Sequence, residues 1–145
     1  MILVMEARPI YENGNTLAAE EATIRKVAGV WRVEYRKLPR QYRVDWALLR
    51  DGKIAAWCEC KKRHNERNKY PSLMLSLSKV AHGLDLERQT GLPFFLVVEW
   101  LDCLAYLRPQ GIGDLRFGGR LDRGDWQDQE PVVDFPVEDF KVIGC

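Results

Sequence analysis

The residues best suited to chemistry are two acids and a lysine in the stretch "YRVDWALLRDGKIAAWCECKKR", residues 42–63. Asp45 lies in one apolar run, and Glu59 and Lys61 end a second apolar run that follows the turn Asp51–Gly52. Two carboxylates that lie close together repel each other unless a cation lies between them. Carboxylate oxygens suit Mg²⁺ or Mn²⁺, which polarise a phosphoryl oxygen and lower the pKa of bound water. The pattern therefore predicts a site for metal-assisted phosphodiester hydrolysis.

Two adjacent strands must position these side chains. In a strand, residues i and i+2 point the same way, so Glu59 and Lys61 share a face. A hairpin at the Asp-Gly turn sets Asp45 on the neighbouring strand, and the lysine can then orient a water or stabilise developing charge. The alternative is that all three are solvated residues on a half-exposed sheet. The site is favoured because both acids interrupt apolar segments.

The other elements follow from hydrophobic periodicity and from turn residues. Helices are predicted over 16–29 and 72–90, and strands over 31–37, 42–49, 53–61 and 94–100. A further strand should follow a turn near residues 101–102, and residues 109–124 should be irregular. One or two short strands close the chain, where the prolines favour an edge. The fold class is α/β or α+β, a mixed sheet with flanking helices, in one domain spanning 1–145.

Composition excludes several classes of protein. A net charge of +1 over 145 residues gives no whole-molecule attraction to nucleic acid or membrane, although a local patch still could. No apolar run approaches the roughly 20 residues that span a bilayer, and no signal peptide is expected. The four cysteines form no CxxC pair, which favours a reduced, cytoplasmic protein. The two histidines have no ligand spacing to a cysteine, which argues against a zinc site.

The segment "VDWALLRDGKIAAWCECKKR" resembles the core of the PD-(D/E)XK nuclease superfamily. In that family an Asp on one strand and a (D/E)xK on the next hold a divalent metal, on a restriction-endonuclease-like αβββαβ core. The resemblance covers about residues 16–108 and leaves 109–145 as a C-terminal extension. Val44 stands where the family has a Pro. The stretches "GLPFFLVVEW" and "GGRLDRGDWQDQEPVVDFP" resemble short bacteriophage proteins, which implies the cytoplasm of a host cell.

The resemblance implies specific roles. Asp45 and Glu59 would bind Mg²⁺ or Mn²⁺, and Lys61 would position the attacking water. The family often adds an acid from the first helix, here Glu20 or Glu21, of which Glu20 matches slightly better. The alternative is that these two glutamates complement the helix dipole.

Three further assignments concern the metal and the substrate. The resemblance implies that the backbone carbonyl of Cys60 is a metal ligand, whereas its thiol should be packed. Basic residues after the third strand and on the second helix are candidates for binding nucleic acid: Lys62, Arg63, Arg67, Lys69 and Lys79. The alternatives are a solvated basic loop and, for the helical lysine, a side chain that snorkels to solvent.

Two functions follow from these residues. The first is a Mg²⁺-dependent nuclease that hydrolyses phosphodiester bonds in DNA, with no membrane partner. The second is a catalytically silent nucleic-acid-binding or assembly protein with the same fold. The intact acids and lysine favour the nuclease. Whether a homodimer cuts both strands stays open.

Overall fold

The computed structural model describes residues 14–145, without the side chains of residues 14–16 and 127. The helices are α1 (Gly14–Trp31) and α2 (Leu77–Thr90). The strands are β1 (Glu34–Lys37), β2 (Trp46–Arg50), β3 (Lys53–Lys62), β4 (Ser72–Ser76), β5 (Phe94–Glu99), β6 (Leu104–Leu107), β7 (Leu115–Gly118), β8 (Glu130–Pro136) and β9 (Lys141–Gly144). No helix in this part of the chain is both long and apolar enough to cross a membrane.

A six-stranded mixed sheet of order β1-β2-β3-β5-β6-β9 carries the fold. Strands β3 and β5 are parallel because α2 crosses between them, and the other pairs are antiparallel. Each face buries its own core. Ile24 and Val27 of α1 pack with Cys58 on one face, and Val80 of α2 packs with Phe94 on the other. This arrangement confirms the predicted α+β class and the αβββαβ order.

The hairpin between β2 and β3 sets the positions of the two acids. The residues of the turn Asp51–Gly52 have φ of 53° and 75°, the left-handed pair that a two-residue hairpin requires. A β-bulge between Leu48 and Leu49 then shifts the register by one residue, so that Trp46 pairs with Cys58. Asp45 precedes Trp46 and Glu59 follows Cys58, so the two acids come to opposite positions on neighbouring chain segments.

The predicted helix over 72–90 is wrong in its first five residues, which form β4. Leu73 and Leu75 alternate with more exposed neighbours and are buried. Each pairs across the strand with an apolar residue of β8, in a second sheet of order β4-β8-β7. Pairing with a distant strand therefore overrides the local helical periodicity, and α2 begins only at Leu77.

Two predicted strands begin later than expected. The strand predicted from residue 31 begins at Glu34, because α1 continues through Trp31, whose ring packs against Phe95. The strand predicted over 42–49 begins at Trp46, because a 3₁₀ turn covers Arg40–Tyr42. Both shifts leave the hairpin register intact.

The C-terminal segment is more ordered than predicted. Residues 109–124 were expected to be irregular, but Leu115–Gly118 forms β7. The closing region gives two strands, and β8 lies in the centre of its sheet instead of at an edge. Its prolines, Pro131 and Pro136, occupy the second and last positions of the strand, which leaves the intervening N–H groups available for pairing.

Candidate active site

Two buried carboxylates form the centre of the site. Asp45 and Glu59 lie opposite each other, with side chains 14% and 1% exposed. Asp45 Oδ2 and Glu59 Oε2 are both buried, and while both acids are ionised neither oxygen has a hydrogen-bond partner within the described part of the chain. Leaving such oxygens unsatisfied is costly. The pair therefore offers two acceptor oxygens to a group that the protein itself does not supply.

Lysines from two further elements neutralise the pair. The Nζ atom of Lys79, on α2, lies 2.8 Å from Glu59 Oε1 and 3.8 Å from Asp45 Oδ1. The Nζ atom of Lys37, at the end of β1, lies 3.3 Å from Asp45 Oδ1. The carboxylates thus lie between a helix on one face of the sheet and the neighbouring edge strand.

The environment separates the pKa values of the two acids. Burial is the largest effect on Glu59 and, with the adjacent charge of Asp45, raises its pKa to about 7 against the attraction of Lys79. Burial also raises the pKa of Asp45, but Lys79, a hydrogen bond with Glu59 and the charge of Lys37 together outweigh it. The net effect holds the Asp45 pKa below its ordinary value. A proton at this pair therefore belongs to Glu59.

Lys61 lies beside the pair without an ion-pair partner. Its side chain is half-buried on the Glu59 face of β3, and no described residue forms an ion pair or hydrogen bond with its ammonium. Burial lowers the pKa of Lys61, the charge of Lys79 lowers it further, and the carboxylate of Glu59 opposes them. A partly desolvated ammonium with no fixed partner can hold a water or an anionic oxygen.

The structure distinguishes the two glutamates of α1. Burial lowers the pKa of Lys79, but Glu59 and Asp45 raise it above its ordinary value, and the charge of Glu20 adds a smaller effect in the same direction. Glu20 therefore lies within electrostatic reach of the cluster, and its Oε2 is buried. Glu21 instead accepts a hydrogen bond from the Tyr35 hydroxyl at 3.2 Å and pairs with Arg25 at 3.5 Å. One residue of offset on a helix turns a side chain by about 100°, which separates the two.

Cys60 points away from the carboxylates. Its thiol is buried on the α1 face of the sheet, 3.9 Å from the Cys58 sulfur. The hydrogen bond with Cys58 and burial raise the Cys60 pKa well above its ordinary value. The thiol is therefore packed, as expected, and a role for Cys60 at the metal would fall to its backbone carbonyl.

Of the five basic residues predicted to bind nucleic acid, the structure brings Lys79 into the carboxylate cluster. Arg63 donates to the Met74 carbonyl at 3.0 Å, and Arg67 donates to the carbonyls of Val137 and Phe140 at 3.1 and 3.2 Å. These two guanidinium groups tie the loop to β4 and to the C-terminal segment.

The other two basic residues of the loop are exposed. Lys62 lies on the face of β3 opposite to Lys61, and Lys69 lies over the ring of Tyr70. Both ammonium groups are therefore accessible to an anionic partner, but outside the carboxylate cluster.

Lys37 is the residue that the sequence analysis missed. It ends the alternating segment "WRVEYRK", and β1 pairs with β2 so that Lys37 faces Trp46, one residue from Asp45. The available signal was the antiparallel meander itself, which returns the end of the first strand to the start of the second. Lys37 forms no local sequence motif with Asp45, so periodicity alone does not reveal that the two side chains meet.

The donor set fits a hard divalent ion. Within the described residues, no three Asp, Glu, His or Cys side chains converge as a ready-made metal cage. Mg²⁺ does not require such a cage, because it keeps several waters and binds through one or two carboxylates together with phosphate oxygens. The unsatisfied oxygens of Asp45 and Glu59 match that requirement.

Comparisons with known proteins give the family and agree with this fold. A family model described as "Phage putative PDDEXK endonuclease" matches residues 6–143. Among solved structures, the chain is similar to Hjc of Archaeoglobus fulgidus, a Holliday junction resolvase from an archaeal hyperthermophile. The TM-score is 0.55 at 13% identity, over 88% of this chain and 90% of that one. A comparison with curated protein sequences found no match.

Proposed function

Because the chain belongs to the family of phage PDDEXK endonucleases, we propose that it is a Mg²⁺- or Mn²⁺-dependent nuclease that hydrolyses phosphodiester bonds in DNA. Asp45 and Glu59 bind the ion, with the Cys60 carbonyl as a further ligand and Glu20 completing the site through a bound water. The observation that carries the proposal is the pair of buried carboxylate oxygens that lack hydrogen-bond donors. Lys61 is half-buried and lies beside these carboxylates, where it supplies the positive charge of the proposed site.

The protein's own groups have separable tasks in this reaction. A bound Mg²⁺ would supply Lewis acidity and would lower the pKa of a coordinated water. Lys61 holds the attacking water and stabilises the negative charge that develops on the phosphoryl oxygens. Hydrolysis breaks the P–O3′ bond, so the products carry a 5′-phosphate and a 3′-hydroxyl. Burial lowers the pKa of Lys61, and a partly desolvated ammonium of this kind is suited to contact a water or a phosphoryl oxygen.

DNA is the proposed substrate. The structural neighbour is described as a Holliday junction resolvase, and a branched DNA is therefore the first substrate to test. The two exposed lysines outside the carboxylate cluster, Lys62 and Lys69, would contact phosphates. A net charge of only +1 leaves recognition to local basic surface.

A homodimer is part of the proposal, because two sites are needed to cut two strands. The edge strand β7 and the turn after it expose apolar side chains, including Phe117 at 75% and Trp126 at 73%. Antiparallel pairing of β7 with its own copy would cover this surface symmetrically. Sedimentation equilibrium of the wild type and of Phe117→Ser tests the point, and a monomeric wild type at micromolar concentration would exclude a stable dimer.

Cleavage assays test the function. Supercoiled plasmid and a four-way junction are incubated with Mg²⁺, Mn²⁺ or EDTA, and products are checked for 5′-phosphate ends. We expect metal-dependent cleavage that is lost in Asp45→Asn and Lys61→Ala but kept in Lys53→Ala, an exposed lysine at the start of β3. Binding of DNA that is equal with and without metal, and with no cleavage of either substrate, would instead support the silent binding protein.

A further inference from the structure

We infer that Lys79 is a built-in counter-ion that occupies the carboxylate pair until a divalent ion displaces it, an inference that rests on the proposed function. Its ammonium contacts both carboxylates assigned to the metal, at 2.8 Å from Glu59 Oε1 and 3.8 Å from Asp45 Oδ1. Within the described residues it is also the ion-pair partner of Glu59. The Lys79 ammonium thus supplies, without a metal, positive charge that a bound metal ion would otherwise bring to the two carboxylates.

The ammonium and the metal cannot both remain close to these oxygens. An ion bound at the free oxygen Glu59 Oε2 would share this carboxylate with the Lys79 ammonium on Oε1, and like charges that close together repel strongly inside a protein. Each carboxylate lone pair that points to the ammonium is also withheld from the metal. Metal binding therefore competes with the ion pair, and Lys79 lowers the affinity for the metal.

Lys79 is the member of the pair that can move. Its side chain is 34% exposed, whereas that of Glu59 is 1% exposed and fixed within the core. A lysine on the rim of a helix can carry its ammonium into solvent while its methylene groups stay packed. Once displaced, the ammonium remains next to the metal site, where an anionic phosphate would arrive. The same residue would then contribute to binding the substrate.

The ion pair also explains how two buried acids persist without metal. Lys37 lies near Asp45 alone, at 3.3 Å. Without Lys79, an ionised Glu59 would have no ion-pair partner among the described residues, a strongly destabilising arrangement. The geometry therefore assigns Lys79 two states. It stabilises the metal-free protein, and it yields its position when the ion binds.

Mn²⁺ affinity, measured by calorimetry without DNA, tests the inference. Replacing Lys79 by Met should tighten Mn²⁺ binding by at least tenfold and lower the metal-free melting temperature. Arg88→Met, an exposed cation on the same helix that pairs with Asp85, should change neither quantity. Lys79→Gln, which keeps polarity and loses charge, serves if the methionine variant does not fold. Its Mn²⁺ affinity should rise in the same direction.

A second measurement uses the wild type. Lys79 should react slowly with acetic anhydride in EDTA and at least fivefold faster in saturating Mg²⁺, as followed by mass spectrometry of its peptide. Mn²⁺ affinity within twofold of wild type in both Lys79 variants, with unchanged acetylation, would overturn the counter-ion role. If Asp45→Asn leaves Mn²⁺ binding intact, the proposed metal site itself fails, which is a separate result.

Discussion

Replacing Glu59 by Gln should stabilise the metal-free protein above neutral pH. The Glu59 carboxyl is buried, and burial raises its pKa from 4.5 to about 7. The unfolded chain loses this proton at lower pH than the native protein does. A glutamine of nearly the same shape avoids the cost of a buried charge and keeps an oxygen for the Lys79 ammonium, which lies 2.8 Å from Glu59 Oε1.

The magnitude follows from the two pKa values of Glu59. Because the native pKa is the higher one, the stability that the proton contributes is fully present below pH 4.5 and is lost as pH rises to about 7. A shift of this size corresponds to about 3 kcal/mol in total, of which about 2.5 kcal/mol falls between pH 5 and pH 8. The lowered pKa of Asp45 acts only as pH falls below its ordinary 3.8, outside this range.

The assay is urea denaturation in EDTA at pH 5, 6.5 and 8. Relative to the wild type, Glu59→Gln should gain about 2.5 kcal/mol of unfolding free energy from pH 5 to pH 8. The unfolding free energy of Glu21→Gln, a substitution at a partly exposed acid of α1, should change with pH in parallel with that of the wild type. A mutant curve parallel to the wild type, or a net loss of stability at pH 8, would refute a raised Glu59 pKa.

Mg²⁺ should largely cancel this difference in stability between Glu59→Gln and the wild type at pH 8. At a concentration 100 times its Kd, the ion should stabilise the wild type by about 2.7 kcal/mol and leave Glu59→Gln unchanged. Equal stabilisation of both proteins would place metal binding elsewhere.

Three further outcomes are expected. Glu20→Gln should weaken Mn²⁺ binding by about tenfold in calorimetry, while Glu21→Gln should not, because only the Glu20 charge acts on the cluster. An equal effect of both would remove Glu20 from the site. Arg67→Ala should cost about 1–3 kcal/mol in thermal denaturation and leave Mn²⁺ affinity unchanged, since its guanidinium donates to two C-terminal carbonyls. Unchanged stability would contradict that role. Gly83→Ala should destabilise by about 1–3 kcal/mol despite the better helix propensity of Ala, because its Cβ would overlap the ring of Phe94.

The sequence by itself determined the hairpin and the arrangement of residues along it. The Asp51–Gly52 turn needs left-handed backbone that few residues adopt, and strand alternation puts Glu59 and Lys61 on one face. The two helices and the first three strands along the chain followed from periodicity in the same way, apart from residues 72–76, which were predicted as helix and form β4. These features depend on neighbours within a few residues, so the local pattern carries the information.

The tertiary structure decided which charges meet. Lys79 reaches Glu59 because α2 packs over β3, and Lys37 reaches Asp45 because β1 returns beside β2. The same long-range packing turned residues 72–76 into a strand, through pairing with β8 some 60 positions later. Such contacts depend on the free energy of pairing distant segments. No window along the chain contains both partners, and the counter-ion of the acids therefore became visible only in the folded protein.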